Sequence, residues 1–444
     1  MSKIPEYVEK KIWESIIFPA LIKVKSDKFS EVLNYIKDMI SDYKQFGILR
    51  SISLPERVKA MLNEIVEIRL FNFISIPLPR EFVWSLESED FVEKIFHDSW
   101  LNAFQVPIPV VQKEGVYYFT VAKKYVVKGT STFWVKKALG ADIANMKGFS
   151  GFGVKVAVCD TGIFHLKGLE RVKARTVLKI GDLDLSVGHG TSVCSCVTSR
   201  HVVDEIASKK VGKIIPLEGI APWCDCYSIK CMTYPGTGRT SWIIKAIEDA
   251  VFKYNCDIIN LSLGGMLEAE RPEDDPMFHV LKECYNLNKI VCVASGNFGK
   301  NKLCTPGSLP LCLRVGAYDP VSGKVAEFTS RGATPWGDIV PDVSMPGVWI
   351  YMQTTGQMDL IDNTISGGSP ASGTSFACPL AAGMVTLMKE AHRKLLGKEL
   401  LLDEILLMMS ELGEFKDKSE DYGYGILNWN KYETWLSTQY GIEI

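Results

Sequence analysis

The sequence predicts an α/β protein, a domain built on a mainly parallel sheet with a small α+β unit in front of it. Three observations carry this. From Val154 onward, short apolar stretches alternate with segments of helical periodicity, as in a sheet buried on both faces. Ahead of that, short strand-like and helix-like segments follow one another in enough number for an open sheet with helices on one face. With 47% hydrophobic and 23% charged residues over 444 positions, the chain can also build two or three genuine cores.

In chain order, residues Pro19 to Lys25 alternate as a strand and Phe29 to Ile40 has helical periodicity. Gly47 to Ser53 is strand-like, Val58 to Ile65 helical, Val66 to Ile76 β-rich, Arg80 to Ser88 a turn and helix, and Phe91 to Phe96 a short apolar stretch. Val116 to Val121 is extended. In the larger part the strand candidates are Val154 to Cys159, Cys226 to Cys231, Ile258 to Leu263, Ile290 to Ala294 and Leu313 to Ala317. Thr191 to Ser199, Ser241 to Lys253, Met277 to Leu287 and Ser375 to Leu396 are the helix candidates.

A formal net charge of -2 with both signs interspersed gives no reason to expect nucleic acid or an anionic membrane as a partner. There is no run of eighteen apolar residues, and Met1 to Tyr7 carries charge where a signal peptide needs an apolar stretch, so a cytoplasmic location is expected. All twelve cysteines lie between Cys159 and Cys378, which suits small apolar residues in a reducing compartment better than a disulfide framework. Cys194-x-Cys196 and Cys224-x-Cys226 have one-residue spacing and no second close Cys/His pair, so no metal is expected there. Gly151-Phe152-Gly153 precedes a strand rather than following one, which argues against a dinucleotide site.

Three segments bear chemistry. Asp160 directly follows a buried-strand pattern, with Gly162 to turn the backbone away, where a carboxylate can orient an imidazole; a turn or capping Asp is the plain alternative. His189 lies between Gly188 and Gly190, with Thr191 and Ser192 able to cap the helix that follows. Ser375, in Gly373-Thr374-Ser375-Phe376-Ala377-Cys378-Pro379, sits at the amino end of a helix, whose unpaired N–H groups favour the charge that develops when a hydroxyl attacks a carbonyl. Asn297, after the apolar strand 290–293, can donate a side-chain amide to that oxyanion.

These residues, in the order Asp, His, Ser, resemble the subtilisin-like serine proteases. The resemblance runs from about Ala138 to Leu436 and includes Gly219-Ile220-Ala221-Pro222, Phe328-Thr329-Ser330 and Gly423-Tyr424-Gly425. It implies a three-layer subtilisin-like domain at 130–444, a ferredoxin-like inhibitory propeptide at 1–100, and a tail and linker at 101–129 with a processing site between Val111 and Ser131, candidates being Lys123-Lys124 and Lys128-Gly129. Asp160, His189 and Ser375 would form a triad, with Asn297 in the oxyanion hole and His165 a noncatalytic neighbour. Ser262-Leu263-Gly264 and Ala294-Ser295-Gly296 would wall the primary pocket, and Gly236-Thr237-Gly238 would pair with an extended substrate, making a peptide the expected partner.

No cofactor is expected; the resemblance allows calcium, but the usual loop is not recognisable, because Thr198 to Glu218, where many relatives are Asn-rich, is Lys/Arg-bearing and apolar here. The expected activity is endopeptidase action by a self-inhibited precursor. The competing reading is a noncatalytic or permanently capped homologue that works by binding protein.

Overall fold

The computed structural model describes residues 3–15, 17–42, 64–103, 116–121, 125–184, 187–355 and 367–444. In the leading part, strands Val66–Ile68, Phe73–Pro79, Ile17–Val24 and Val92–His97 lie side by side in that order, every pair antiparallel. Helices Glu6–Glu14, Phe29–Asp42 and Arg80–Glu87 accompany them. Side chains alternate across a pleated strand. Ala20, Ile22, Ile74 and Ile95 therefore pack with helix residues Val8, Val32, Ile36 and Val83 in one core. Leu21, Phe73 and Phe96 face the other way and join the core of the main body. The strand expected at Gly47 to Ser53 and most of the helix expected at Val58 to Ile65 lie outside the described residues.

The main body is organised on seven parallel strands. Their order is Val343–Pro346, Leu313–Tyr318, Ile290–Ala294, Ile258–Leu261, Lys155–Asp160, Asp225–Lys230 and Lys173–Thr176. Val156 and Val158 point into a core shared with helices His189–Thr198 and Thr374–Leu396, whereas Ala157 and Cys159 point into one shared with helices Thr240–Glu248 and Pro276–Asn286. Both faces are covered, hence the near-continuous apolar strands and the three layers.

Two elements depart from the expected extents for identifiable reasons. The stretch Ile258 to Leu263, expected as one strand, breaks at Ser262. Leu263–Met266 leaves the central sheet and enters a second one, ordered Thr237–Arg239, Trp100–Ala103, Leu263–Met266, Cys304–Thr305. Val116–Val121, expected within an extended tail, instead forms a hairpin with Tyr125–Ser131, which pairs in parallel with Ile350–Gln353 of the body.

All twelve cysteines are free and buried. Burial pushes the Cys224, Cys256, Cys284 and Cys292 thiols up to about 12, so they act as small apolar side chains. Among the described residues no three or more His, Cys, Asp or Glu side chains gather as a metal site, and no helix is long and apolar enough to cross a membrane. Within 198–218, the Asp204 carboxylate is taken up by the Ala207 amide, the Tyr351 hydroxyl and the Gly368 amide.

Candidate active site

Asp160 ends the central strand Lys155–Asp160, and His189 begins a helix. Both are fully buried, and His189 Nδ1 lies 2.9 and 3.0 Å from the two Asp160 carboxylate oxygens. The Thr161 amide donates to Asp160 Oδ1 at 2.6 Å, fixing the carboxylate from its other side. The backbone permits this only because of glycine. A Cβ on Gly188 (φ +85°) would stand 1.7 Å from the Thr355 carbonyl oxygen, and one on Gly190 would stand 2.3 Å from that of Gly162.

Gly188 offers no side chain to cap the His189 helix, and Asp184 supplies one from outside it. Its carboxylate accepts from the Gly188 amide, the Thr191 amide and the Thr191 hydroxyl, each at 3.0 Å. Burial raises the pKa of Asp184 and Asp160 adds to the rise, while the two backbone amides pull against it.

Ser375 is the second residue of helix Thr374–Leu396, and the ring of the next residue, Phe376, lies 5.6 Å from the His189 ring. The Ser375 hydroxyl donates to the Ser262 carbonyl at 3.0 Å, and the Ser262 hydroxyl donates back to the Ser375 carbonyl at 2.8 Å. That reciprocal pair accounts for the strand break at Ser262. With Nδ1 held by Asp160, His189 Nε2 is left buried with no hydrogen-bond partner, which is costly unless something is to fill the position.

Asn297 is oriented through Thr374. Its Oδ1 accepts from the Thr374 amide at 3.0 Å and the Thr374 hydroxyl at 2.8 Å. This turns Nδ2 the other way, where it is buried and unpartnered. A donor held by its own acceptor and left unmatched is what a developing oxyanion needs.

The expected edge segments lie on either side of one strand. Thr237, Gly238 and Arg239 pair with Asn102, Leu101 and Trp100, and Leu263 and Gly264 pair with Ala103 and Asn102, all antiparallel. The leading part thus threads Trp100–Ala103 between the two segments. Gly236 turns at φ +107° immediately before the first edge. Ala294 ends the strand next to Ile258–Leu261 and Ser295 and Gly296 follow it; a Cβ on Gly296 would stand 2.6 Å from Cys304 Cβ, so the wall tolerates no side chain there. His165 makes a separate 3.3 Å contact to the Leu169 carbonyl.

Sequence reasoning passed over Asp184 and Thr374, which position others rather than react. The visible signal for Asp184 is its spacing four residues before Gly188, and for Thr374 its place directly before Ser375. It also missed the seam between leader and body. There, Asp98 accepts from the Ser241 amide at 2.8 Å, the Ser241 hydroxyl at 2.6 Å and Ser75 at 2.7 Å. It thereby caps helix Thr240–Glu248, whose own N-cap residue, Arg239, makes no side-chain cap.

The subtilase family model matches residues 151–425, more than half of the chain. Serine protease AprX of Bacillus subtilis is 30% identical over 320 residues, 64% of this chain and 67% of that protein. The human membrane-bound transcription factor site-1 protease is 30% identical over 274 residues, but they make up 23% of its length. Subtilisin E of Bacillus subtilis is 29% identical over 267 residues, 57% of this chain and 59% of its own. With Asp160, His189, Asn297 and Ser375 all inside the matched segment, the chain belongs to the subtilase family and is a serine endopeptidase.

Proposed function

We propose that the chain is a self-inhibited precursor that hydrolyses peptide bonds through Asp160, His189 and Ser375. His189 Nε2 takes the Ser375 proton as Oγ attacks the scissile carbonyl carbon. The oxyanion is met by Asn297 Nδ2 and the Ser375 amide. Collapse passes the proton to the departing amine and leaves an acyl-enzyme, which water opens with His189 again as base. The observation that carries this reading is the buried Asp160–His189 pair with Nε2 unpartnered and the His189 ring against Phe376, the residue next to Ser375. In the resting geometry the Ser375 hydroxyl turns to Ser262, and a rotation about its Cα–Cβ bond is the step that engages His189.

The leader is the inhibitor in this proposal. Its four-strand order supports a ferredoxin-like propeptide, and Trp100–Ala103 takes the place of an extended substrate. The pairing ends with Ala103 opposite Leu263, one residue from Ser262, whose carbonyl holds the Ser375 hydroxyl. In this antiparallel register Ser262 faces the position after Ala103, which favours cleavage just beyond Ala103, ahead of the window Val111 to Ser131. Lys128-Gly129 is a poor site, because Lys128 and Gly129 pair with Tyr118 and Tyr117 in a hairpin joined to the body; Lys123-Lys124 lies outside the described residues. The free buried cysteines support action in a reducing compartment, the cytoplasm.

Fluorophosphonate labelling tests the chemistry. Ser375 in the incubated chain is expected to be modified, and Ser375→Ala is expected to stay at full length by mass spectrometry. A folded chain whose Ser375 never labels, with the leader retained, favours the permanently capped, protein-binding reading, since strand Trp100–Ala103 already fills the cleft.

A further inference from the structure

We propose that Arg239 and Trp242 form a subsite for an aromatic side chain of the substrate, immediately upstream of the aliphatic residue that lies opposite Gly238. The proposal rests on strand Trp100–Ala103 being the occupant of the substrate cleft. Within that strand, Leu101 is buried, with its Cδ2 3.0 Å from where a Cβ on Gly265 would stand. Trp100 pairs in register with Arg239. Residues directly opposite each other on antiparallel strands project to the same face, and successive residues to opposite faces. Trp100 is therefore turned away from the Leu101 pocket and toward Arg239.

What meets it there belongs wholly to the body. The Arg239 guanidinium carbon lies 5.5 Å from the Trp100 ring and 5.6 Å from the Trp242 ring, and the two indoles make an edge-to-face contact at 5.7 Å with an interplanar angle of 87°. Thr240, between the two, clamps the backbone one step further upstream, its amide and hydroxyl donating to the Ser99 carbonyl at 2.8 and 3.1 Å. One cation and one ring edge thus converge on the occupant. Both interactions draw on the quadrupole of an aromatic ring, which an aliphatic side chain lacks. A preferred substrate carries an aromatic residue directly before an aliphatic one, as Trp100-Leu101 does.

The test uses protease activated by incubating the full chain, with quenched peptides of the sequence Asp-Ser-Trp-Leu-Asn-Ala-Phe-Gln-Val-Pro and versions with Phe, Leu or Ala in place of Trp. Peptides that resist cleavage are compared by their inhibition of casein hydrolysis. The Trp peptide is expected to exceed the Ala peptide about 5- to 10-fold in kcat/KM or inhibitory potency, mostly through KM, with Phe near Trp and Leu near Ala. Arg239→Gln and Trp242→Ala should each bring the Trp-to-Ala ratio below about 2, and the surface variant Arg239→Gln decides the matter if Trp242→Ala fails to fold. Equal handling of the Trp and Ala peptides by an enzyme that hydrolyses casein overturns the subsite and leaves the proteolytic reading standing. No hydrolysis, with Ser375 unlabelled, overturns that reading and the subsite with it.

Discussion

The leader and the body hold themselves together differently. The body buries both faces of a parallel sheet under helices, and its twelve cysteines are spent as packing. The leader covers one face of an antiparallel sheet with its own helices and relies on the body for the other. Its grip on the body adds polar and titratable groups to an apolar patch: Asp98 on Ser241, the Leu70 amide on Glu248 at 2.7 Å, Lys94 on Asp274 at 2.6 Å. Hydrophobic burial holds over a wide pH range, whereas contacts of this second kind respond to protons and salt. In the proposed precursor the body would therefore persist while the leader's attachment is reversible.

Substitutions can separate the two roles. Changes in the body's site should abolish turnover with the leader still docked, and changes at the seam should weaken docking with the chemistry intact. The largest expected effect is Ser375→Ala, which should lower casein hydrolysis by more than about 1000-fold, with an unchanged circular dichroism spectrum. Asn297→Ala should follow at about 100-fold in kcat with KM little altered, because its amide serves a charge absent from the ground state. If Asn297→Ala raised KM alone, its Nδ2 would be a substrate-binding donor instead.

The body was more legible in the sequence than the leader, for a physical reason. Asp160, His189, Asn297 and Ser375 stand beside glycines and at strand or helix ends, where few residue types fit, as the 1.7 Å clash at Gly188 illustrates. Such constraints leave local motifs. Asp98 has no motif, because its partners Ser75 and Ser241 lie 23 and 143 positions away and a capping carboxylate from another unit looks like any surface Asp. The break at Ser262 was equally hidden. Ile258 to Leu263 is uniformly strand-compatible, and only the distant Ser375 backbone requires the turn.

Asp98 yields the next prediction. Burial pushes its carboxyl up in pKa while three hydrogen bonds pull it down. Asp98→Ala removes a helix cap and strands the Ser75 and Ser241 hydroxyls, costing about 1–2 kcal/mol of docking. Ser375 labelling in freshly purified full chain should then start about 5- to 30-fold faster. An unchanged rate would mean that the apolar patch alone holds the leader.

The smallest effect is one of pH. Burial lowers His97 and His279 to about 4, with Lys11 acting on the first and Lys23, Lys94 and Lys282 on the second, while Glu268 opposes at His97 and the Glu273 carbonyl at His279. Both rings lie along the seam, His279 against Phe73 and Phe96 of the leader and His97 beside Lys11 and Glu268. A histidine depressed in the folded state is neutral there, so its contribution is complete above about 6.5 and is lost as pH falls toward 4, by at most about 1.4 kcal/mol per unit. Asp275, pushed up to about 6 by burial, works the other way, since protonation relieves it over the same interval. Asp98, also raised by burial, acts in the same sense as Asp275, so two histidines face two carboxyls and the stability of Ser375→Ala full chain in urea should change little from pH 6.5 to 4.5. Adding His279→Gln should make the chain relatively more stable at the acid end and Asp275→Asn relatively less; a profile that ignores both would locate the acid response elsewhere than at the seam.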